Sequence, residues 1–165
     1  LENKPVLIPL GVDQDPHFRI TRDIAPKINK IKPALIHNIM IPSLLGPGGK
    51  MSASDEKSTV YTTDTPEQVK KKINKYAFSG GQPDIDEHRK IGGNPDIDVS
   101  YQYLRIFFEP DDNKLKKIYD DYKSGKMLTG ELKGILIEKI NEFLAAHQEK
   151  REHIRKNIDD YLFKD

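Results

Sequence analysis

The chain has 165 residues, with 27 lysines and arginines against 26 acidic residues and a formal net charge of +1. That balance excludes a uniformly polybasic nucleic-acid binder but leaves room for a local basic face. There is no cysteine, so a disulfide framework, a thiol nucleophile and a cysteine–zinc site are excluded, and a reducing compartment fits. No apolar run approaches the ~20 residues of a membrane helix. The length suits one ordinary domain or two small ones. Leu1-Glu2-Asn3-Lys4 is no signal peptide, and the absence of an initial Met suggests an excised piece of something longer.

Val6 to Leu10 reads as a short buried strand ending at Gly11. Asp15-Pro16 then opens a helix, with Pro at its first position. Phe18, Ile20, Ile24 and Ile28 supply its apolar face to about Lys30. Pro33 to Met40 reads as a second strand within an apolar run reaching Leu45. Strand, helix and strand make one βαβ unit with a right-handed crossover. A parallel sheet is normally covered on both faces and has more than two strands. The earlier strands of a doubly wound sheet are therefore expected to lie outside this chain.

Gly46-Pro47-Gly48-Gly49-Lys50-Met51-Ser52-Ala53-Ser54 follows. It combines a glycine hinge, a cation and two hydroxyls two residues apart. A loop of this kind suits closure over a polyphosphate, because lysine neutralises charge while hydroxyls and backbone N–H groups donate to phosphate oxygens. A Gly-rich surface turn with an incidental lysine is the competing reading.

Beyond Asp64 the character becomes helical. Thr65-Pro66-Glu67-Gln68 is a helix start with a capping box, and Val69, Ile73 and Tyr76 mark its inner face. Ser79-Gly80-Gly81 stops it. Asp84 to Ile91 reads as a short helix ended by Gly92-Gly93. Asp98 is placed to cap a helix carrying Tyr101, Leu104, Phe107 and Phe108. Leu115, Ile118 and Tyr122 mark another, ended at Ser124-Gly125. Thr129 is expected to cap a long helix with Leu132, Ile135, Leu136, Ile140, Phe143 and Leu144 inward. His147, Arg151, Ile154, Ile158 and Leu162 extend it almost to the C-terminus, with or without a break near His147.

Gly11-Val12-Asp13-Gln14-Asp15 sits where the first strand meets its helix, at the strand's carboxyl end, where open α/β sheets bind ligands. Asp13 can accept from ribose hydroxyls, and Gln14 can bond both the amine and the carboxylate of an amino acid. Alternatively the cluster only caps the helix. His17, His37, His88, His147 and His153 show no zinc spacing and read as packing or surface residues. Lys70-Lys71-Lys72 reads as a solvated helix face, with an RNA-backbone contact as the alternative. Tyr103, Phe107 and Phe108 read as core rather than base-stacking platforms.

Taken together, Asp13-Gln14-Asp15-Pro16-His17-Phe18-Arg19, Thr21-Arg22-Asp23 and Lys50-Met51-Ser52-Ala53-Ser54-Asp55 resemble the tryptophanyl-tRNA synthetases of the eukaryotic and archaeal branch. Ala77-Phe78-Ser79-Gly80-Gly81, Gly92-Gly93-Asn94, Asp98-Val99-Ser100 and Met127 to Lys133 continue the resemblance, which weakens after about Glu149. The tyrosyl sister family shares the Asp-Gln element and the lysine–serine loop, but the run Asp15 to Arg19 points to the tryptophan branch.

The resemblance implies a Rossmann-like remnant over 1–64, the C-terminal part of a class I catalytic domain, and a helical anticodon-binding domain over 65–165. It implies ATP-dependent activation of tryptophan to the adenylate and transfer to tRNA(Trp), with Mg2+ accompanying ATP and no structural metal. A cytoplasmic, homodimeric parent with no membrane association is implied too. Lys50, Ser52 and Ser54 would stabilise departing pyrophosphate, with Met51 in the same ATP-binding loop. Gly11 and Asp13 would face the ribose, Gln14 the tryptophan, and backbone groups near Ile39 and Met40 the adenine. Lys133 is the implied tRNA contact.

Ala53 stands where the commoner class signature has a second lysine, and no upstream His-Ile-Gly-His-like element is present. This 165-residue chain is therefore expected to be inactive alone. The rival readings are a stand-alone helical RNA-binding or regulatory module and a tyrosyl-tRNA synthetase.

Overall fold

The computed structural model describes residues 4–49 and 51–162. They form two compact units, divided between Ile41 and Pro42.

In the first unit, strand β1 (Leu7–Gly11) leads into a 3₁₀ turn over Val12–Gln14 and helix α1 (Asp15–Ile24). Strand β2 (Ala34–Asn38) pairs parallel to β1, with Leu7 opposite Ala34 and Gly11 opposite Asn38. The expected βαβ unit is present. Its helix stops sooner than the apolar spacing predicts, because Pro26 has no N–H to continue the ladder. The chain tightens into a 3₁₀ segment over Ala25–Ile28 and turns at Asn29, whose φ is 55°. The Arg22 guanidinium then donates to the Pro33 carbonyl, tying the last turn of α1 to the approach of β2.

Leu10 and Ala25 are buried in this unit, whereas Ile20, Ile28 and Ile39 are more than half exposed. Among the described residues the sheet has two strands. Such apolar exposure is what a parallel pair shows without the layers that normally cover it.

The second unit is helical. It comprises α2 (Pro66–Tyr76), α3 (Ile85–Ile91), α4 (Val99–Tyr103) continued by a π turn over Leu104–Phe108, α5 (Asp112–Lys123) and α6 (Thr129–Lys156). Leu44, Val69, Ile73, Val99, Leu104, Tyr122, Leu132 and Leu136 are fully buried at its centre. Both halves of the Thr65–Gln68 capping box form, the Thr65 hydroxyl accepting from Gln68 N–H and the Gln68 side chain accepting from Thr65 N–H.

Asp98 caps α4 as expected and does more. Its buried carboxylate accepts from the N–H groups of Gly80, Ser100 and Tyr101 and from the Tyr122 hydroxyl at 2.9 Å. Burial first, and the Asp98 charge second, push the Tyr122 phenol up to about 12.

Three sequence expectations are corrected here. Thr129 is the first residue of α6 rather than its cap. The Leu128 N–H donates to the Glu131 carboxylate at 2.6 Å, while the Thr129 hydroxyl lies 3.1 Å from Tyr122 Oη and 3.2 Å from Ser79 Oγ. Phe143 is exposed, because the buried stripe of α6 runs through Leu132, Leu136, Ile140 and Leu144, and Phe107 is exposed on the π turn whose buried residue is Leu104. Phe143 stacks on His147, at an interplanar angle of 13°, one turn along α6. Finally, Lys72 leaves the solvated lysine face and is buried against Asp64. The long helix itself passes His147 without a break.

Residues 42–49 and 51–64 pack within the helical unit. Leu44 N–H donates to the Ser58 carbonyl, Phe78 N–H to the Leu44 carbonyl, and the Tyr103 hydroxyl to the Pro42 carbonyl. Packing therefore divides this chain after Ile41 rather than at the expected boundary of Asp64.

Candidate functional site

In the first unit, the residues read as ligand-facing gather at the carboxyl ends of β1 and β2. Gly11 ends β1, and Asp13 and Gln14 occupy the 3₁₀ turn that follows. The Gln14 amide donates to the Asp13 carboxylate at 3.1 Å, so the two side chains form one exposed pair. Neither side chain caps α1. A Cβ on Gly11 would sit 2.7 Å from Asp13 Oδ1 and 3.7 Å from Met40 Sδ. Glycine therefore lets the β1 end pass close to both, and a side chain there would displace Asp13. Ile39 and Met40 follow β2 immediately and are exposed.

Sequence reasoning missed one pairing in this cluster. The Asp15 carboxylate accepts from His37 Nε2 at 2.8 Å and Arg19 Nε at 2.5 Å. The bond to His37 chiefly, and Arg19 after it, hold the Asp15 carboxyl below its ordinary 3.8. Asp15 opens α1 and His37 is the penultimate residue of β2, so the contact clamps the crossover helix to the second strand. The two residues are 22 positions apart. Only the recognition that both lie at strand carboxyl ends could have brought them together.

The second unit carries the serine loop, of which Lys50 lies outside the described residues. Ser52 Oγ and Ser54 Oγ are 2.8 Å apart, so the two hydroxyls share one polar spot. Buried Ser58 clasps the loop from beneath. Its hydroxyl accepts from Ser52 N–H at 3.0 Å and lies 3.0 Å from the Ser52 carbonyl and 2.8 Å from that of Asp55. Met51 packs partly against the core. Before the loop, Gly46 has a φ of 118° and lies against Phe78, a conformation and a closeness that both favour glycine. The arrangement presents paired hydroxyls on a backbone held at its far side, which suits hydrogen bonding to phosphate oxygens.

Lys133 does not offer its ammonium to solvent as a phosphate contact would. It is 9 % exposed and donates to the Asn74 carbonyl at 3.2 Å, joining α6 to the last turn of α2. Burial pushes its pKa down, with the Asp98 charge acting in the opposite direction. Lys57, Lys70, Lys71 and Lys75 are exposed, and Lys57 and Lys71 line one cavity with Asp55 and Glu56 just after the loop.

Of the histidines, His88 is buried. Its Nδ1 accepts from Gln82 N–H and its Nε2 donates to the Met127 carbonyl, an arrangement of a neutral packing residue. Among the described residues, no group of three or more His, Asp or Glu is placed to hold a metal ion. Nor is any helix among them long and apolar enough to cross a membrane.

Comparison with known proteins places this geometry in context. A tryptophan–tRNA ligase from Sulfurisphaera tokodaii is 57 % identical over 162 residues, covering 98 % of this chain and 42 % of that protein. The cytoplasmic tryptophan–tRNA ligase of Saccharomyces cerevisiae is 52 % identical over 162 residues, covering 98 % of this chain and 37 % of its own length. The crystal structure of a product-bound parasite tRNA synthetase superposes with a TM-score of 0.85 at 53 % identity, over 92 % of this chain and 40 % of that one. The chain thus spans about two-fifths of the length of the curated relatives it matches. Residues 1–145 match the family described as tRNA synthetases class I (W and Y), and with that match covering most of its length the chain belongs to this family.

Proposed function

We propose that the chain is the C-terminal part of a cytoplasmic tryptophan–tRNA ligase. The parent joins the tryptophan carboxylate to the α-phosphate of ATP, releases pyrophosphate, and transfers the activated amino acid to tRNA(Trp). The observation that carries this reading is the serine loop. Ser52 and Ser54 hold adjacent hydroxyls on a loop clasped by Ser58, next to the position of Lys50. Support for tryptophan over tyrosine comes from the relatives, which are named tryptophan–tRNA ligases at 52–57 % identity.

In this mechanism Lys50 and the serine hydroxyls act as charge accumulates on the leaving pyrophosphate, which lowers the barrier rather than the substrate Michaelis constants. Gly11 and Asp13 receive the ribose, Gln14 the amino acid, and backbone groups at Ile39 and Met40 the adenine. Mg2+ arrives on the ATP phosphates as part of the substrate. Residues 1–64 belong to the catalytic domain and 65–165 to the anticodon-binding domain of a homodimeric parent. Lys133 serves tRNA binding by holding α6 against α2, given its bond to the Asn74 carbonyl.

Tryptophan-dependent exchange of pyrophosphate into ATP by the full-length protein tests the reading. Exchange with tyrosine alone would assign the tyrosyl sister activity. No exchange with either, together with retained RNA binding, would favour a helical RNA-binding module.

A further inference from the structure

The serine loop is held at a second point, and by a group with no expected part in the reaction. The Tyr61 hydroxyl donates to the Ala53 carbonyl at 2.7 Å. Ala53 is the residue between the two loop serines. Tyr61 is itself braced. The Lys72 ammonium lies 4.0 Å from the centre of its ring. The same ammonium pairs with Asp64 at 2.7 Å, and the same Asp64 oxygen accepts from Tyr61 N–H at 2.8 Å. From α6, the Gln148 amide donates to the Thr62 carbonyl at 3.0 Å and the Asp64 carbonyl at 3.1 Å.

Both members of the ion pair are buried, Asp64 at 5 % and Lys72 at 8 % exposed. A buried pair of this kind is costly to desolvate and strongly destabilising to break from one side. It is a poor source of stability but a good means of fixing one geometry. Here the geometry fixed is that of the Tyr61 ring, sandwiched between its own backbone bond to Asp64 and the cation above it. The ring's polar tip then has one loop atom to hold, the carbonyl between the serines.

We propose that Tyr61 is a positioning residue for the serine loop: braced by Lys72, Asp64 and Gln148, its hydroxyl sets where the Ser52 and Ser54 hydroxyls stand as pyrophosphate leaves. The kinetic consequence rests on the activity proposed above, whereas the hold on the loop does not. Tyr61 touches no reacting atom. Its contribution is to limit how many loop arrangements compete with the productive one, so its loss lowers turnover and leaves amino-acid binding alone.

Tyr61→Phe in the full-length protein is the clean test, because phenylalanine keeps the ring beneath Lys72 and deletes only the hydroxyl. Two readouts are combined. Amide hydrogen exchange of Ser52, Ser54 and Asp55 is expected to quicken about tenfold, the size of one ordinary hydrogen bond, with Ile73 and Leu136 unchanged. Turnover in tryptophan-dependent pyrophosphate exchange is expected to fall about tenfold, with the tryptophan Michaelis constant within about twofold of the parent value.

Loop amides exchanging at the parent rate would overturn the assignment, and so would faster exchange spread over Ile73 and Leu136, since that marks a general loss of packing. Loosened loop amides with unchanged turnover would overturn the positioning role. A full-length parent protein with no exchange activity would overturn the proposed function instead, while the amide measurement would still decide whether Tyr61 holds the loop.

Discussion

The Asp15 carboxylate and the His37 imidazole meet at 2.8 Å, joining the first turn of α1 to the end of β2. Arg19, one turn along α1, completes the set of polar groups on that carboxylate. The exposed Asp13–Gln14 pair precedes the clamp directly, and Ile39 and Met40 follow it. The residues proposed for ribose, amino acid and adenine are thus carried on two segments that this contact joins in addition to the β1–β2 ladder.

A pH dependence follows from this clamp. The Asp15 carboxyl is held below 3.8 in the folded protein, first by the bond to His37. Its folded value is depressed, so the stabilisation is fully present above the ordinary value of 3.8 and is lost as pH falls through the folded one. Asp15→Asn should lower the protection of the β-ladder amides of Leu10 and Leu35 at pH 5–6. The gap between variant and parent protein should narrow once the pH drops below about 3.8. An equal gap at all pH values would mean that the carboxylate's charge has no share in the clamp.

Gln14 and Lys50 should separate amino-acid use from chemistry. Gln14 donates to Asp13 and caps no helix end, so Gln14→Ala should leave folding nearly untouched. In the full-length enzyme it should raise the tryptophan Michaelis constant while sparing that of ATP. Unchanged tryptophan kinetics would leave Gln14 no role beyond its bond to Asp13.

For Lys50→Ala, turnover should fall with little change in the ATP Michaelis constant. The loss of one charged contact to a departing phosphate corresponds to a barrier increase of about 2–4 kcal/mol, by analogy with removal of an oxyanion donor. A raised ATP Michaelis constant at full turnover would show uniform binding instead.

What could be read from the chain without its structure was what local chemistry decides. The Thr65–Gln68 capping box and the Asp98 cap each bond within three residues, so residue type and spacing suffice. The serine loop is likewise contiguous, and the strands announced themselves as apolar runs. Long-range bonds were beyond such reading. Thr129 looks like a helix cap until Ser79, 50 positions away, and Tyr122 take up its hydroxyl. Lys72 looks solvated until Asp64 is folded against it. Phe143 matches the helical period, yet the buried stripe passes it by through Ile140 and Leu144.

Lys133 shows how burial redirects a functional expectation. Its ammonium donates to the Asn74 carbonyl, and its stem packs inside the helical unit. Lys133→Ala should therefore lower thermal stability by roughly 1–3 kcal/mol, from a lost bond and lost stem packing. Lys133→Met keeps most of the stem and should recover part of that. Aminoacylation should follow the stability of the helical unit and depend only weakly on salt at this position. A salt-dependent loss of aminoacylation in Lys133→Met, with normal stability and normal amino-acid activation, would mean that the ammonium reaches tRNA phosphate directly.

The two units of this chain should differ sharply in protection. In the first, a two-stranded parallel sheet faces solvent with Ile36 48 % and Ile39 77 % exposed, and α1 with Ile20 59 % exposed. Covering such a side chain is worth about 1.5–3 kcal/mol, so several left open forgo a large share of a small unit's stability. The second unit has a continuous core through Leu44, Ile73, Leu104, Leu132 and Leu136, all fully buried. Amide exchange on these 165 residues should accordingly show Leu10 and Leu35 opening far more readily than Ile73 or Leu136. The same open face should leave the 165-residue chain without tryptophan-dependent pyrophosphate exchange, because the residues proposed for ribose and amino acid stand on the less protected unit. Measurable exchange activity in a dilute solution of this chain alone, or equal protection of Leu10 and Ile73 there, would show that the first unit holds its shape without added strands.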